Sequence, residues 1–316
     1  MKYCYEIDGG RLAECGEGQA SVIVYENPSE QEKEELCRAY DLDPMDIEGV
    51  LDPDEVARVE FTPERTFVIW KMPDNVTISG TIQFQVSSLG IILASNRLVF
   101  IAPREKVQMD GRQLKRVVSA RDCLLRVLFA NVRHYQGHLK AIKQVAQELE
   151  AKLVTSMENR YLLQMFALGE SLVYYHNAIE TNQTVLGKIR AAAEKLGFAP
   201  EEIELMDDVM IENQQAGKQA AIYTSVLSGL MDARGTIINN NMNVLLKNLT
   251  IINVVFLPLN LIASILGMSE YSEMTRGIQW TISYGLFAAA MVILGWLTWW
   301  WLTRVLERQH MAGKGA

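Results

Sequence analysis

The chain has 316 residues, of which 49% are hydrophobic, and a formal net charge of −8. This acidic balance argues against nucleic-acid binding, which needs a basic surface. The sequence contains no Gly-rich phosphate loop, nucleophile elbow or His-Glu metal motif, so nothing in it supports an enzyme with catalytic residues. Its first six residues lack an apolar core, so no signal peptide is expected. The four cysteines show no paired spacing, which is typical of reduced cytosolic thiols.

Residues 1–116 are predicted to form a cytoplasmic α/β domain. Ser29 to Tyr40 is a helix candidate with Ser29 as its cap and Glu32 in the reciprocal position. Ser95 and Asn96 predict a two-residue hairpin turn. Seven segments rich in Val, Ile, Phe and Thr are strand candidates: Tyr3–Ile7, Ala20–Tyr25, Val59–Phe61, Thr66–Met72, Thr81–Ser87, Gly90–Ala94 and Leu98–Ala102.

Residues 117–199 are predicted to form long antiparallel cytoplasmic helices that turn near Ser156 to Asn159. Apolar residues recur at three and four positions, and charged residues fill the gaps. His134 and His138 stand four residues apart, a spacing that suits either a metal site or a solvated helix face. Gly197, followed closely by Pro200, is typical of a helix end.

Residues 200–268 predict a single stalk helix that continues into the membrane, because no helix breaker occurs between Pro200 and Pro258. At 1.5 Å per residue such a helix is about 100 Å long. Repeating apolar residues favour packing against copies of itself. The helix starts with six acidic residues, which indicate either dipole stabilisation and a solvated face or a divalent-cation sensor: Glu201, Glu202, Glu204, Asp207, Asp208 and Glu212.

Two apolar segments near the end of the chain predict transmembrane helices. The first, at about 249–268, carries no charge and is long enough for a roughly 30 Å hydrocarbon core. An external loop at 269–277 separates it from the second helix at 278–302, which ends in clustered Trp. A cytoplasmic tail, 303–316, follows. Basic residues flank the outer ends of the pair, so the positive-inside rule puts both termini in the cytoplasm.

The polar residues of the first apolar helix lie on one face. Asn253, Asn260 and Ser264 are spaced by seven and four, with Leu257 between them and Gly267 three residues further on. Amides in lipid are costly unless they face protein or water. The stripe therefore suits either a helix–helix contact or a pore lining made by several copies of the helix. Two spans from one chain cannot enclose an aqueous path, so transport requires an oligomer, for which a ring is the natural arrangement.

The same helix resembles the pore helix of the CorA family of divalent-cation channels. The segment that begins at Asn243 and reads Asn-Val-Leu-Leu-Lys-Asn-Leu-Thr-Ile-Ile, then Pro258, then Gly267-Met268, fits the family frame without a gap. Ser269 stands where the family has the Asn of Gly-Met-Asn. The resemblance implies an α+β fold class with an N-terminal cytoplasmic α/β domain, a long helical stalk and two C-terminal transmembrane helices, assembled as a funnel-shaped pentamer.

The resemblance also implies three sets of site residues. On the ungapped frame Asp208 matches a regulatory metal carboxylate, and its partner falls on Gly49, so Glu48 or Asp46 would have to substitute. The selectivity mouth comprises Gly267, Met268, Ser269, Glu270 and Glu273. The pore lining, from the cytoplasm outward, is Asn243, Leu246, Leu249, Asn253, Leu257, Asn260 and Ser264.

The sequence thus predicts a homo-oligomeric channel of the cell inner membrane for divalent cations, with Mg²⁺ first and Co²⁺, Ni²⁺ or Zn²⁺ as alternatives. A neutral polar stripe suits a hydrated cation, because Mg²⁺ dehydrates reluctantly. The expected partners are the protein itself, the bilayer and the cation, which is both substrate and regulator, and no cofactor is expected. The alternative hypothesis is a non-conducting, membrane-anchored structural or regulatory protein with the same fold.

Overall fold

The computed structural model describes residues 1–74, 77–78, 82–103, 114, 116–155, 159–266, 273 and 276–312. It divides into two compact units, Met1–Met231 and Asp232–Ala316. The described helices are α1 (Glu30–Tyr40), α2 (Pro44–Leu51), α3 (Ala120–Thr155), α4 (Asn159–Ala192), α5 (Pro200–Leu266) and α6 (Trp280–Ala312).

The first unit is built on a seven-stranded sheet. The described strands are β1 (Lys2–Asp8), β2 (Arg11–Glu14), β3 (Val22–Glu26), β4 (Arg58–Phe61), β5 (Thr66–Pro73), β6 (Thr77–Ile78), β7 (Ile82–Gln83), β8 (Val86–Ala94) and β9 (Arg97–Ala102). The order in the sheet is β2-β1-β3-β9-β8-β5-β4, while β6 and β7 pair separately. Within the sheet β3 and β9 run parallel, and the other neighbours run antiparallel.

Local signals in the sequence account for the first helices and one hairpin. The Ser29 side chain accepts from the Glu32 backbone N–H, and the Glu32 carboxylate accepts from the Ser29 N–H, so the predicted capping box is confirmed. Asp43 caps α2, and Pro44 occupies its first turn, where no N–H is needed. Ser95, with φ of 51°, forms the predicted turn between β8 and β9.

Side chains alternate between the two faces of each strand, and both faces are buried in the central strands β3, β5, β8 and β9. On one face Phe67 and Ile69 of β5 join a core that includes Leu36 of α1 and Val50 of α2. On the other face the core contains residues of β5, α3, α4 and the start of α5, among them Val68, Trp70, Leu124, Leu128, Leu186, Ile189, Met206 and Val209. The sheet is therefore covered by helices on both sides.

The strand predicted at Thr81–Ser87 is wrong. β7 ends at Gln83, and β8 begins only at Val86. Between them the Phe84 N–H donates to the Ser171 hydroxyl of α4 at 3.2 Å, and the Phe84 ring is buried beside Tyr175. Burial of this aromatic ring among the helices outweighs its β propensity, so the chain leaves the sheet here.

A buried amide joins α4 to the sheet. The Asn182 Oδ1 accepts from the Lys71 N–H at 2.9 Å, and the Asn182 Nδ2 donates to the Lys71 C=O at 2.7 Å. Lys71 needs these bonds because the pairing of β4 with β5 extends only to Ile69. The side chain therefore satisfies two backbone groups that the edge strand leaves open.

We expect Asn182→Ala to lower the free energy of unfolding of this unit by about 2–4 kcal/mol, since it orphans two buried backbone groups. For a domain of this size the thermal midpoint falls by about 5–10 °C, measurable by circular dichroism on the detergent-solubilised protein. Asn177→Ala, an exposed position on the same helix, is the control and leaves the midpoint unchanged. Equal shifts in the two variants would contradict the role assigned to Asn182.

Candidate functional site

Two of the described helices are long and apolar enough to cross a membrane. They are α5, over Pro200–Ser264, and α6, over Trp280–Leu302. α5 is unbroken for 67 residues and continues through Pro258. Because proline has no N–H, the Val254 carbonyl loses its usual helical donor at this point. Within a bilayer such a carbonyl needs protein or water beside it.

The two apolar helices contact each other along one face of each. The half-buried residues of this part of α5 recur at three- and four-residue spacing, and so do those of α6. Leu259 joins the two rows, because its Cδ1 lies 3.3 Å from the position that a Cβ on Gly295 would occupy. Gly295 thus permits a close approach that a larger residue would obstruct. The rows are Ile251, Val255, Leu259 and Ile262 on α5, and Phe287, Met291, Gly295 and Thr298 on α6.

The predicted pore stripe lies on the other side of α5. At 3.6 residues per turn its centre is about 180° from the row that contacts α6. All seven residues are exposed in the single chain, and Leu257 is 68% exposed. The contact between α5 and α6 therefore does not use this stripe, which is available to other copies of the chain or to water. Its members are Asn243, Leu246, Leu249, Asn253, Leu257, Asn260 and Ser264.

Most of the predicted selectivity mouth, residues 267–270, lies outside the described residues. Glu273 is among the described residues, and its carboxylate forms an ion pair with the Arg276 guanidinium at 3.1 Å. Both side chains are largely exposed, so the pair contributes little to stability. Arg276 nevertheless offsets the negative charge that Glu273 brings to this loop.

The acidic start of α5 divides into residues bound within the chain and residues that face outward. The Arg190 Nε and a second guanidinium nitrogen donate to the two Asp207 oxygens at 2.7 and 3.2 Å, which holds α5 against α4. Glu202 caps the helix by accepting from the Ala199 N–H at 2.8 Å, and Glu212 accepts from the Gln136 amide at 2.6 Å. These contacts account structurally for half of the six acidic residues.

Asp208 differs from these residues, because its side chain is exposed. The sequence did not identify Arg190 as the residue that separates the two neighbouring aspartates. The only sequence signal for this contact was that Arg190, a basic residue, lies near the end of α4, the helix that precedes α5. Asp207 thus pairs with Arg190, and Asp208 is the exposed member of the two neighbouring aspartates.

The position of the expected partner, Gly49, and the two candidate substitutes have different environments. Asp46 is mostly buried and pairs with Arg58 at 2.8 Å, whereas Glu48 is exposed. Gly49 is not required by packing, because a Cβ there would lie 3.6 Å from the nearest atoms of Glu55 and Ile69, an ordinary contact. Glu48 is thus the exposed carboxylate of α2, and Asp46 is the paired one.

The two histidines do not form a metal site with neighbouring residues. His138 Nδ1 shares a 2.6 Å hydrogen bond with the Tyr175 hydroxyl, and its ring stacks on that of Tyr175. Burial, with a smaller contribution from His134, lowers the pKa of His138 to about 4, so the ring is neutral at pH 7. Across the residues that the structure describes, no three His, Cys, Asp or Glu side chains are placed to hold a metal ion.

Comparison with known proteins identifies the class to which this fold belongs. The family model described as "CorA-like Mg2+ transporter protein" matches residues 18–304, and the chain therefore belongs to this family. That family is one of transporters rather than enzymes. The predicted fold class, an N-terminal α/β domain, a long helix and two C-terminal apolar helices, is confirmed by the match to a solved full-length structure.

Individual relatives cover most of the chain. It is 26% identical over 282 residues to a cobalt/magnesium transport protein CorA of Methanocaldococcus jannaschii, and the alignment covers 85% of both proteins. It is 24% identical over 265 residues to the protein of that name from Thermotoga maritima, covering 81% of this chain and 74% of the other. The complete structure of the CorA magnesium transporter from Methanocaldococcus jannaschii matches with a TM-score of 0.74, 23% identity and 96% coverage of both chains. The full-length CmaX protein matches with a TM-score of 0.70, 14% identity and 97% coverage of both chains.

Proposed function

We propose that this chain is the subunit of a homopentameric channel that carries divalent cations, Mg²⁺ first, across the cell inner membrane, with both termini in the cytoplasm. Co²⁺, Ni²⁺ and Zn²⁺ are further candidate ions. The observation that carries the proposal is the placement of the neutral polar stripe of α5 on the side opposite its contact with α6. Family membership and the CorA relatives support it.

An oligomer follows from the geometry of the single chain. Two apolar helices with one shared contact cannot surround water, yet Asn253 and Asn260 need water or protein beside them in a bilayer. Rotational copies of α5 around one axis turn these amides toward a common centre. The helices contributed by α6 then lie outside, where their apolar surface faces lipid.

The chemistry of the stripe suits a hydrated ion. Asn243, Asn253 and Asn260 provide amide oxygens that accept from the waters around Mg²⁺, which that ion gives up reluctantly. Rings of Leu246 and Leu257 form apolar constrictions that close by excluding water. No charged side chain occurs between Leu249 and Met268, so the ion is not trapped. The membrane potential supplies about 2.3 kcal/mol per elementary charge per 100 mV.

Selectivity at the external entrance is proposed to come from the backbone carbonyls of Gly267 and Met268 and from the Ser269 hydroxyl. Glu270 raises the local concentration of cations, and Glu273 contributes less because Arg276 offsets its charge. A hydroxyl is shorter than the amide found in the family motif, so Ser269 contacts a hydrated ion less closely. This substitution makes the identity of the ion the first quantity to measure.

The test is uptake of Mg²⁺, Co²⁺, Ni²⁺ and Zn²⁺ into proteoliposomes that contain the full-length protein, with Ser269→Asn measured in parallel. We expect saturable Mg²⁺ uptake that increases with an inside-negative potential. If only one transition metal were taken up, that metal and not Mg²⁺ would be the substrate. Flux from Ser269→Asn only would show a pore that is closed in the native protein. Absence of flux from both proteins would reject transport and leave the structural or regulatory protein.

The pore assignment predicts that the position of an amide along α5 matters. We expect Asn260→Leu to lower Mg²⁺ uptake by about tenfold or more, because it removes an amide oxygen that accepts hydrogen bonds from the waters around the ion. Asn248→Leu makes the same change about 120° around the helix from Asn260 and should leave uptake within about twofold. Equal losses in both variants would show that the stripe does not line the pathway.

We further propose that cytoplasmic cations inhibit the channel by bridging Asp208 of one subunit to Glu48 of its neighbour. Both carboxylates are exposed, whereas Asp46 and Asp207 are held by arginines of the same chain. Hard cations such as Mg²⁺ bind carboxylate oxygens while retaining water.

Removing or adding a carboxylate should shift this inhibition in opposite directions. We expect Asp208→Asn to raise the internal Mg²⁺ concentration that halves uptake by about fivefold or more, and Gly49→Asp to lower it, because each changes the affinity of the inhibited state. Uptake is measured at a series of internal Mg²⁺ concentrations. Asp207→Asn is the control, because it removes a carboxylate in the same helix turn together with the Arg190 contact but leaves Asp208 in place. An unchanged midpoint in Asp208→Asn would refute the sensor.

A further inference from the structure

Two cysteines lie opposite each other in the N-terminal hairpin. The pairing of β1 with β2 ends at Tyr5 and Glu14, and one residue further on the Cys15 N–H donates to the Cys4 carbonyl at 3.0 Å. Residues that face each other across an antiparallel pair place their side chains on the same face of the sheet. Cys4 and Cys15 both pack against the core that the sheet shares with α1 and α2. Their thiols are therefore neighbours.

The turn of the hairpin fixes this pairing. Gly9 and Gly10, with φ of 53° and 82°, form the two-residue turn between β1 and β2. Positive φ at both central residues gives a turn whose twist matches the flanking strands, and the length of the turn sets the register. Cys4 lies as many residues before Gly9 as Cys15 lies after Gly10. A slip of the register that would separate the two cysteines would therefore break the turn.

The distance between the two cysteines suits a disulfide. A hydrogen-bonded pair of opposite residues holds its Cα atoms about 5.5 Å apart, within the range of about 4.4–6.8 Å that disulfides span. The Cβ atoms of such a pair are about 5 Å apart, so the bond requires the strands to approach by about 1 Å. This adjustment is available to β2, because it is a four-residue strand at the edge of the sheet.

The other two cysteines have different surroundings. Cys123 is fully buried, and burial raises the pKa of its thiol to about 12, so it is shielded from solutes. Cys37 lies on α1, where burial and then the carboxylates of α1 and the start of α2 raise the pKa of its thiol. Burial, followed by Glu6 and Cys4, raises the pKa of the Cys15 thiol. Cys4 and Cys15 are both partly exposed, so a small solute reaches them.

We propose that Cys4 and Cys15 form a reversible disulfide by exchange with a low-molecular-weight disulfide of the glutathione type. One thiolate attacks a sulfur of the small disulfide, which forms a mixed disulfide and releases the first small thiol. The second thiolate attacks the protein sulfur of the mixed disulfide and releases the second small thiol. The protein loses two hydrogens and the small disulfide gains them. This exchange requires neither conduction nor the Asp208 sensor, so it is judged separately from the proposed transport.

The disulfide would hold the hairpin against opening. β2 lies at the edge of the sheet and pairs there with β1. The turn also contacts the start of the helical part, because the Gly10 carbonyl accepts from the Val117 N–H at 3.1 Å, shortly before α3 begins at Ala120. A covalent link removes freedom from open forms of the loop that it closes. Oxidation thus stabilises a strand that otherwise depends on a few hydrogen bonds.

The test is peptide mapping of the full-length, detergent-solubilised protein after equilibration with mixtures of reduced and oxidised glutathione at about pH 8, where thiolates form. Remaining thiols are blocked with N-ethylmaleimide, and the protein is digested without reduction. Trypsin cuts after Lys2, Arg11 and Lys33, which separates the two cysteines. We expect peptides 3–11 and 12–33 joined in one species, two hydrogens lighter than the sum of both. Its amount should increase with oxidised glutathione and fall to zero after dithiothreitol.

Cys37→Ser is the matched control, because it removes another partly exposed thiol of the same core and should leave the linked species unchanged. Cys4→Ser and Cys15→Ser should each abolish the link and leave only a mixed disulfide with glutathione. Thermal unfolding confirms that each variant folds, and non-reducing electrophoresis distinguishes a link within one chain from a link between two. Absence of the linked species, a link to Cys37 or a link between chains would overturn the proposal.

Amide hydrogen exchange tests the effect on the hairpin. We expect the β2 amides that face β1 to exchange about fivefold or more slowly after oxidation, because the disulfide restricts local opening of the strand. The same oxidation of Cys4→Ser should leave their exchange unchanged. Equal exchange in the reduced and the linked native protein would show that the disulfide does not hold β2 and would overturn this part of the proposal.

Discussion

Amide side chains in a bilayer impose the constraint from which the proposed assembly follows. Asn253 and Asn260 lie in a segment without charge, on the face of α5 that α6 does not cover. A buried amide without a partner costs several kcal/mol in an apolar medium, so these groups need protein or water. One chain supplies neither on that face. In the proposed assembly, association of several copies around the stripe would satisfy the amides and at the same time create a polar path, so stability and transport would depend on the same residues.

α5 is continuous from the N-terminal unit into the apolar segment that contains the proposed path. A single helix contains Asp208 near its start and Asn260 near its end. Its first turns are fixed to α4 by the paired bonds between Arg190 and Asp207. A cation at Asp208 would therefore act on a helix whose start is already held by its own chain. Inhibition then requires only that the cation bind one arrangement of neighbouring helices better than another.

Local features of the sequence predicted much of the fold, because their causes are local. The capping box at Ser29 and Glu32 and the hairpin turn at Ser95 depend on residues within four positions, and both are confirmed. The two apolar helices and the long α5 follow from runs of composition and from the absence of breakers. These signals are readable without knowledge of any distant contact.

Contacts between distant residues were beyond the reach of such signals. Phe84 was predicted to lie in a strand, but it packs beside Tyr175, which is 91 positions further along the chain. Asn182 completes the backbone pairing of Lys71 across 111 positions. At the candidate sites, the polar stripe was recognisable from its period, but the α6-facing row and Arg190 were not. Each of these depends on which helix packs against which, and periodicity alone does not determine this.

The two departures from the family pattern both change oxygen ligands that a cation could use. Gly49 lacks the carboxylate expected opposite Asp208, and Ser269 replaces an amide by a shorter hydroxyl. Packing does not force the first change, because a Cβ at Gly49 would make only ordinary contacts. Each departure leaves fewer or shorter oxygen ligands for a hydrated cation. On the proposed mechanism, weaker binding at the sensor moves inhibition to higher cytoplasmic concentrations, since a ligand shifts an equilibrium only by its differential affinity. Weaker binding at the mouth reduces discrimination between ions but speeds their release into the pore. On the proposed mechanism, the pair would therefore suit a channel that works at higher cation concentrations than one with both ligands.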